Sequence, residues 1–213
     1  ERMGLPGNPY ESVCILQNKD RFRNFLAEHG FNVPKAKGFS SIQEAMEEEE
    51  YTWPVIVKPV DAAGSKGVTR VDNVKGLKSA LEFAFEYSIS KRVIIEEFIE
   101  KVGCSSDSEC FSVKGKLQFV SFSAQRFDES APNPYTPAAF SWPSTMTKLQ
   151  EAELTSEVQR LLLLLGMQTS IYNVETRIGI NGKAYIMEVS PRGGGNRLAE
   201  MIRHITGVDL ITN

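Results

Sequence analysis

Apolar and polar residues follow two rhythms along this chain: recurrence every three to four residues marks helices, and alternation or short apolar runs mark strands. In "NKDRFRNFLAEHG", Phe22, Phe25 and Leu26 share one helical face, Asn18 is placed to cap that helix and Gly30 to end it. Ser41 with Glu44 makes a capping box for a second helix. "WPVIVKP" reads as a short buried strand closed by Pro59, and the loop "DAAGSKG" leads from it to "VTRV". A helix near Val74 to Tyr87 precedes the strand "RVIIEEFI", and strands near Glu109–Val113 and Leu117–Phe122 share a turn at Lys114-Gly115. Ser123 to Met146 carries four prolines and reads as one long loop, a feature more often functional than idle. A helix near Leu149 to Leu165, a hairpin and a helix after "GGGN" complete the order. Strands outnumber helices and hairpins are frequent, which predicts an α+β mixture. Two lobes are expected, a smaller one over residues 34–98 and a larger one over 99–213. Residues 1–33 are expected to be a linker and a helix docking on the larger lobe.

The hairpin "IYNVETRIGINGKAYIMEVSPR" raises a physical question. Asn181-Gly182 signals a two-residue type I′ turn. Folding about it pairs Ile180 with Lys183 and sets Glu175 opposite Glu188. One face then carries Asn173, Glu175 and Arg177 against Ser190, Glu188 and Ile186. The other carries Val174, Thr176, Ile178 and Ile180 against Val189, Met187, Tyr185 and Lys183, and packs. Opposed like charges destabilise a sheet. Two such carboxylates must share a proton, raise a pKa or bind a cation, unless solvent screens them. Magnesium fits the third option, because it takes one or two carboxylates and fills its octahedron with phosphate oxygens and water.

Composition narrows the choice of partner. The chain has 213 residues and a formal net charge of −3, so no basic excess exists to hold nucleic acid by bulk charge. Its longest apolar run, "LLLLLGM", is too short for a membrane span. Cys14, Cys104 and Cys110 offer no CxxC pair, which suits free thiols in a reducing, cytoplasmic compartment. "SPRGGGNR" follows the acidic strand, with Arg192 and three glycines before a helix N-terminus, a combination that favours anions or serves as a flexible connection. Gly64, Ser65, Lys66 and Gly67 could fold over phosphates through main-chain N–H groups. The spacing is not that of a Walker loop, and a plain turn explains these residues equally well.

Together, "NKDRFRNFLAEHGFNVP", "WPVIVKPVDAAGSKGV", "VIIEEFIEKVG" and "YNVETRIGINGKAYIMEVSPRGGG" resemble the ATP-grasp superfamily, from Asn18 nearly to the end. The resemblance implies an α+β fold of two lobes whose antiparallel sheets grip ATP. It also implies that the sequence is a fragment lacking an N-terminal domain, with "ERMGLPGNPYESV" as its trailing linker. Lys19 and Lys58 would then contact ATP phosphates beneath the Gly64–Gly67 loop. Glu97 and Ile99 would hydrogen-bond adenine through their main chain, with Glu96 helping from its side chain. Glu175 and Glu188 would ligate magnesium, or manganese in its stead, and Arg192 would stabilise the transferring phosphoryl group, with Lys58 assisting.

Two positions depart from the family pattern. Ser190 stands where the family usually has a metal-binding Asn, and a hydroxyl is the weaker ligand. Ser105 stands where a ribose-binding Glu is usual, so Asp107 or Glu109 would substitute. The resemblance, nearest the amino-acid ligase and carbamoyl-phosphate-synthase-like branches, implies a carboxylate–amine ligase working through an acylphosphate. The partners expected are a small carboxylate and an amine, with a homodimer of the full-length protein left open. Arg126 and Arg177 are candidates for holding a substrate carboxylate, or simply surface ion pairs. "SAPNPYTPAAFSWPS" would border the acceptor pocket, with Tyr135, Phe140 and Trp142 as its walls. The rivals are a phosphotransferase that stops after the kinase step and a nucleotide-binding module without turnover.

Overall fold

The computed structural model describes residues 7–212. In chain order the elements are α1 (Tyr10–Gln17), α2 (Lys19–Glu28), β1 (Ala36–Phe39), α3 (Ile42–Met46), β2 (Val55–Pro59) and β3 (Thr69–Val71). A 3-10 turn over Val74–Gly76 then runs into α4 (Leu77–Tyr87), followed by β4 (Val93–Glu97), β5 (Ser106–Val113) and β6 (Lys116–Phe122). Next come β7 (Ala124–Phe127), β8 (Pro137–Ser141), α5 (Lys148–Leu164), β9 (Ser170–Ile178), β10 (Ala184–Ser190) and α6 (Leu198–Thr206). The chain divides into two compact units: Asn18–Glu100 with Phe127–Pro137, and the remainder. The expected N-terminal linker is helical from Tyr10, and its first six residues lie outside the described ones.

The smaller unit is built on a four-stranded antiparallel sheet of order β1-β4-β2-β3. Alternation along the strands sorts its faces. Val55, Val57, Val93 and Ile95 join Leu77, Leu81 and Ala84 of α4 and Phe39 in one core. Leu81 is wholly buried, a gain of about 1.5–3 kcal/mol for a side chain of that size. Ser41 caps α3 as its position predicts, but Glu44 reaches back to the Ser40 N–H and not to Ser41. Helix α2 begins at its Asn18 cap and buries Phe22, Arg23 and Leu26. It belongs to this unit, which corrects the expectation that it docks on the larger lobe. Three polar ties hold it there: Arg23 to Glu96, the Lys19 N–H to the Val60 carbonyl, and Asp20 to Arg92 at 2.5 Å.

The larger unit carries a second antiparallel sheet, β10-β9-β5-β6. Its helix-facing side presents Tyr172, Val174, Ile178, Ile186 and Val189, all buried, to a core shared with Leu154, Leu161 and Leu162 of α5. Lys114 and Gly115 both take positive φ in the β5–β6 turn, as a type I′ turn requires. The segment from Ser123 to Met146 is not one loop, because β7 and β8 pair within it as a two-stranded ribbon.

The hairpin keeps its acids opposed by a route different from the expected one. Its loop has three residues, closed by the Gly179 N–H donating to the Lys183 carbonyl and the Gly182 N–H to the Gly179 carbonyl. Only Gly182 among them has positive φ, at 76°, so this is a three-residue loop ending in a left-handed glycine rather than a type I′ pair. Ile180 is 65 % exposed at its tip and does not pack. The extra loop residue shifts the first ladder by one, setting Arg177 opposite Tyr185 and Thr176 opposite Ile186. A bulge between Ile186 and Glu188 then restores the count, and Glu188 faces Glu175.

Candidate functional site

In the smaller unit, Lys58 and Glu96 project from neighbouring strands onto the face away from the α4 core. Glu96 is 2 % exposed and bonds Lys58 Nζ through one carboxylate oxygen, while Arg23 Nε donates to the other at 2.9 Å. Burial pushes the Glu96 carboxyl up, but Arg23 and Lys58 outweigh it and hold the group at about 2. Burial presses the Lys58 ammonium below its ordinary value; Glu96 holds it up, and Arg23 and Lys19 add to the fall. Glu96, expected to help bind adenine, here anchors the lysine. Lys19 Nζ donates to the Ala62 carbonyl at 2.8 Å, at the root of the Gly64–Gly67 loop.

That loop is held by a segment the sequence reading placed elsewhere. Gly64, Ser65 and Gly67 take positive φ at 70°, 56° and 70°. Ser65 Oγ donates to the Tyr135 carbonyl at 2.9 Å, Asn133 Nδ2 donates to the Ser65 carbonyl at 3.1 Å, and the Arg70 N–H donates to the Tyr135 hydroxyl at 3.0 Å. Lys66 is exposed at the loop tip. Further along, the Glu97 N–H donates to the Lys35 carbonyl at 2.8 Å, and the Lys35 N–H donates to Glu97 Oε2 at 3.3 Å. Ile99, two residues on, is buried.

In the larger unit, the face opposite α5 collects the acids. β5 sets Asp107 beside Glu175 and Glu109 beside Asn173; β10 sets Glu188 and Ser190 on the far side of the same two residues. Asn173 Nδ2 donates to Asp107 and, at 2.8 Å, to Glu109 Oε1, which also accepts the Gly194 N–H at 2.8 Å. Burial pushes the Asp107 carboxyl up to about 7; Glu109 and Glu188 add to that push, and the Asn173 amide and Arg192 oppose it. Glu109 is likewise raised by burial, against the Asn173, Gly194 and Arg192 contributions. Arg192 is exposed, and its Nη1 donates to the Gly193 carbonyl at 2.8 Å. Ser105 is 4 % exposed, and its hydroxyl has no hydrogen-bond partner among the described residues.

The donor set suits magnesium. Among the described residues no three His, Cys, Asp or Glu side chains form a ready metal cage. Glu175 and Glu188 instead form an opposed pair, the number of carboxylates that magnesium takes when phosphate oxygens and water complete its shell. Arg177 lies on the same face beside Tyr185, whereas Arg126 bonds Ser141 Oγ at 3.4 Å. Tyr135 goes with the smaller unit, and Phe140 and Trp142 with the larger, where the Trp142 indole donates to Ser121 Oγ at 3.1 Å. Arg23, Asn133 and Asn173 carry structural ties that the sequence reading gave no role. Arg23 had a signal: a charge inside the apolar stripe of α2 has to meet a buried partner.

Known proteins share this fold. The family model described as ATP-grasp domain matches residues 16–196. The carbamoyl phosphate synthase large chain of Thermoanaerobacter sp. (strain X514) is 22% identical over 96% of this chain, and that of Halobacterium salinarum 25% over 99%. This chain spans 19% and 20% of those proteins. An L-amino acid ligase from Bacillus licheniformis superposes with a TM-score of 0.78 at 24% identity, over 98% of this chain and 48% of that one. The VanG D-Ala:D-Ser ligase from Enterococcus faecalis superposes with a TM-score of 0.74 at 25% identity, over 88% and 56%. With its acids, its glycine loop and its two antiparallel sheets in this order, the chain belongs to the ATP-grasp domain family.

Proposed function

We propose that this chain is the nucleotide-binding part of an ATP-dependent carboxylate–amine ligase, which activates a small carboxylic acid as its acylphosphate and passes the acyl group to an amine. The observation that carries this reading is the bulged hairpin that sets Glu175 against Glu188, with Arg192 four residues beyond. Both acids would hold magnesium, with Ser190 as a weaker third oxygen. The metal would neutralise charge on the triphosphate. Relatives named as ligases support the chemistry, and one similar structure, a 2-oxoglutarate carboxylase domain of Hydrogenobacter thermophilus, was captured with MgADP and bicarbonate.

The chain's own residues have separate tasks in this reading. Glu96, itself fixed by Arg23, holds Lys58 extended toward phosphate. Lys19, with Gly64, Ser65, Lys66 and Gly67, contributes further phosphate contacts, the loop through its main-chain N–H groups. Adenine takes the Glu97 carbonyl and the Ile99 main chain. Arg192 stabilises charge on the oxygens of the phosphoryl group in flight, an effect aimed at the transition state. Arg177 or Arg126 meets the substrate carboxylate.

The test is Glu188→Gln. Magnesium-dependent ATP affinity should fall at least about tenfold, since the change removes one of two charged ligands. Unchanged affinity would refute the assignment. Product analysis decides the outcome of the reaction: a ligase requires an amine for steady ADP release, whereas a kinase does not.

A further inference from the structure

We propose that Asp107 and Glu109, under the triple-glycine loop, form a binding site for a primary ammonium group, which makes the activated carboxylate that of an amino acid. The second half of this inference rests on the ligase reading above. Glu109 is 1 % exposed. Its Oε1 accepts from Asn173 and from the Gly194 N–H, but its Oε2 has no hydrogen-bond partner among the described residues. Buried carboxylate oxygens are normally satisfied, so a bare one is an acceptor awaiting its donor. Oε2 is turned toward the glycine loop: a Cβ added at Gly193 would stand 3.6 Å from it. A Cβ at Gly194 would fall 2.5 Å from Oε1 and 2.6 Å from Asn173 Nδ2, so only a bare backbone can close over this carboxylate.

The surrounding groups select the kind of cation. Asn173 turns its amide N–H bonds, not its carbonyl, toward both acids, and Gly194 adds a main-chain N–H. A divalent ion needs lone pairs in that ring and would meet hydrogens instead. An ammonium carries three donors and completes the ring. Two carboxylates also exceed what a neutral hydroxyl needs, and ionised acceptors bind ionised donors most strongly. Glu188 and Arg192 both act on the Asp107 carboxyl, so the pair adjoins the proposed phosphoryl-transfer centre. A ligand with its ammonium on Glu109 and its carboxylate at that centre is an amino acid.

The experiment titrates the full-length protein, saturated with magnesium and a non-hydrolysable ATP analogue, with the common amino acids and with the matched acids lacking the amino group. At least one amino acid should outbind its matched acid by roughly ten- to a hundredfold, the range for a hydrogen bond to a charged group. Glu109→Gln should erase that difference. Equal binding of the two series would overturn the proposal, and so would a loss of ATP-analogue affinity matching the loss for the amino acid, which would mark a nucleotide role. Should Glu109→Gln fail to fold, Gly193→Ala replaces it. Its methyl would stand in ordinary contact with Oε2, 3.6 Å away, in space that an approaching ammonium needs, and should weaken the amino acid selectively; unchanged selectivity would again overturn the site. Phosphate release on the same samples tests the ligase reading separately. A preference for ammonium without release removes that reading and leaves the site, whereas release with the matched acids alone does the reverse.

Discussion

Glu96 shows how a single buried charge organises a surface. At 2 % exposure it is tolerable only because Arg23 and Lys58 both reach it. Arg23→Met should therefore cost about 3 kcal/mol, the usual penalty for breaking a buried pair from one side, read as a lower urea midpoint with an unchanged slope. The same carboxyl makes stability depend on acid. Its folded value of about 2 lies below the unfolded one, about 4.3. Its contribution is thus complete above the unfolded value and drains away as pH falls toward 2. Acid titration of the parent should lose stability more steeply below about pH 4 than titration of Glu96→Gln, and superimposable curves would contradict the linkage. This was half legible in the sequence. Arg23 announced a buried partner by interrupting an apolar stripe, but "EEFI" holds two adjacent glutamates and only the pleat decides which one turns inward.

The hairpin and its neighbouring turn separate what local patterns can and cannot reveal. The opposition of Glu175 and Glu188 was legible, although two departures from the simple reading cancel within it: one residue added at the loop, one absorbed by the bulge. Bulges follow from tertiary packing and leave no local signature of their own. Helix α2 shows the same divide, since its Asn18 cap and apolar face were plain and the sheet it covers was not. Two glycines test the turn assignments. Gly182 has φ 76° with nothing within 4 Å of an added Cβ, so Gly182→Ala should cost only the left-handed penalty, about 1–2 kcal/mol. Gly115 has nearly the same φ, 77°, but its Cβ would stand 2.7 Å from the Met167 carbonyl oxygen. Gly115→Ala should cost clearly more, and equal thermal shifts for the two variants would show that the steric account is wrong.

At the scale of the molecule, the smaller unit is discontinuous in sequence, made of Asn18–Glu100 and Phe127–Pro137. The second piece ties Ser65 through both Asn133 and Tyr135. In Asn133→Ala, amide exchange in the Gly64–Gly67 loop should quicken by roughly fivefold, the worth of one hydrogen bond near 1 kcal/mol, while the β2 and β4 amides stay as slow as before. No change in the loop would mean that the clasp carries no energy. No periodicity connects residue 65 to residue 133, which is why the sequence reading assigned the proline-rich stretch to a substrate wall. The arrangement bears on anyone who divides this protein. Scissors placed at the linear border after Glu100 would release a sheet with its helices intact and its glycine loop slack. The faithful half is a permuted gene that splices 127–137 back onto 18–100.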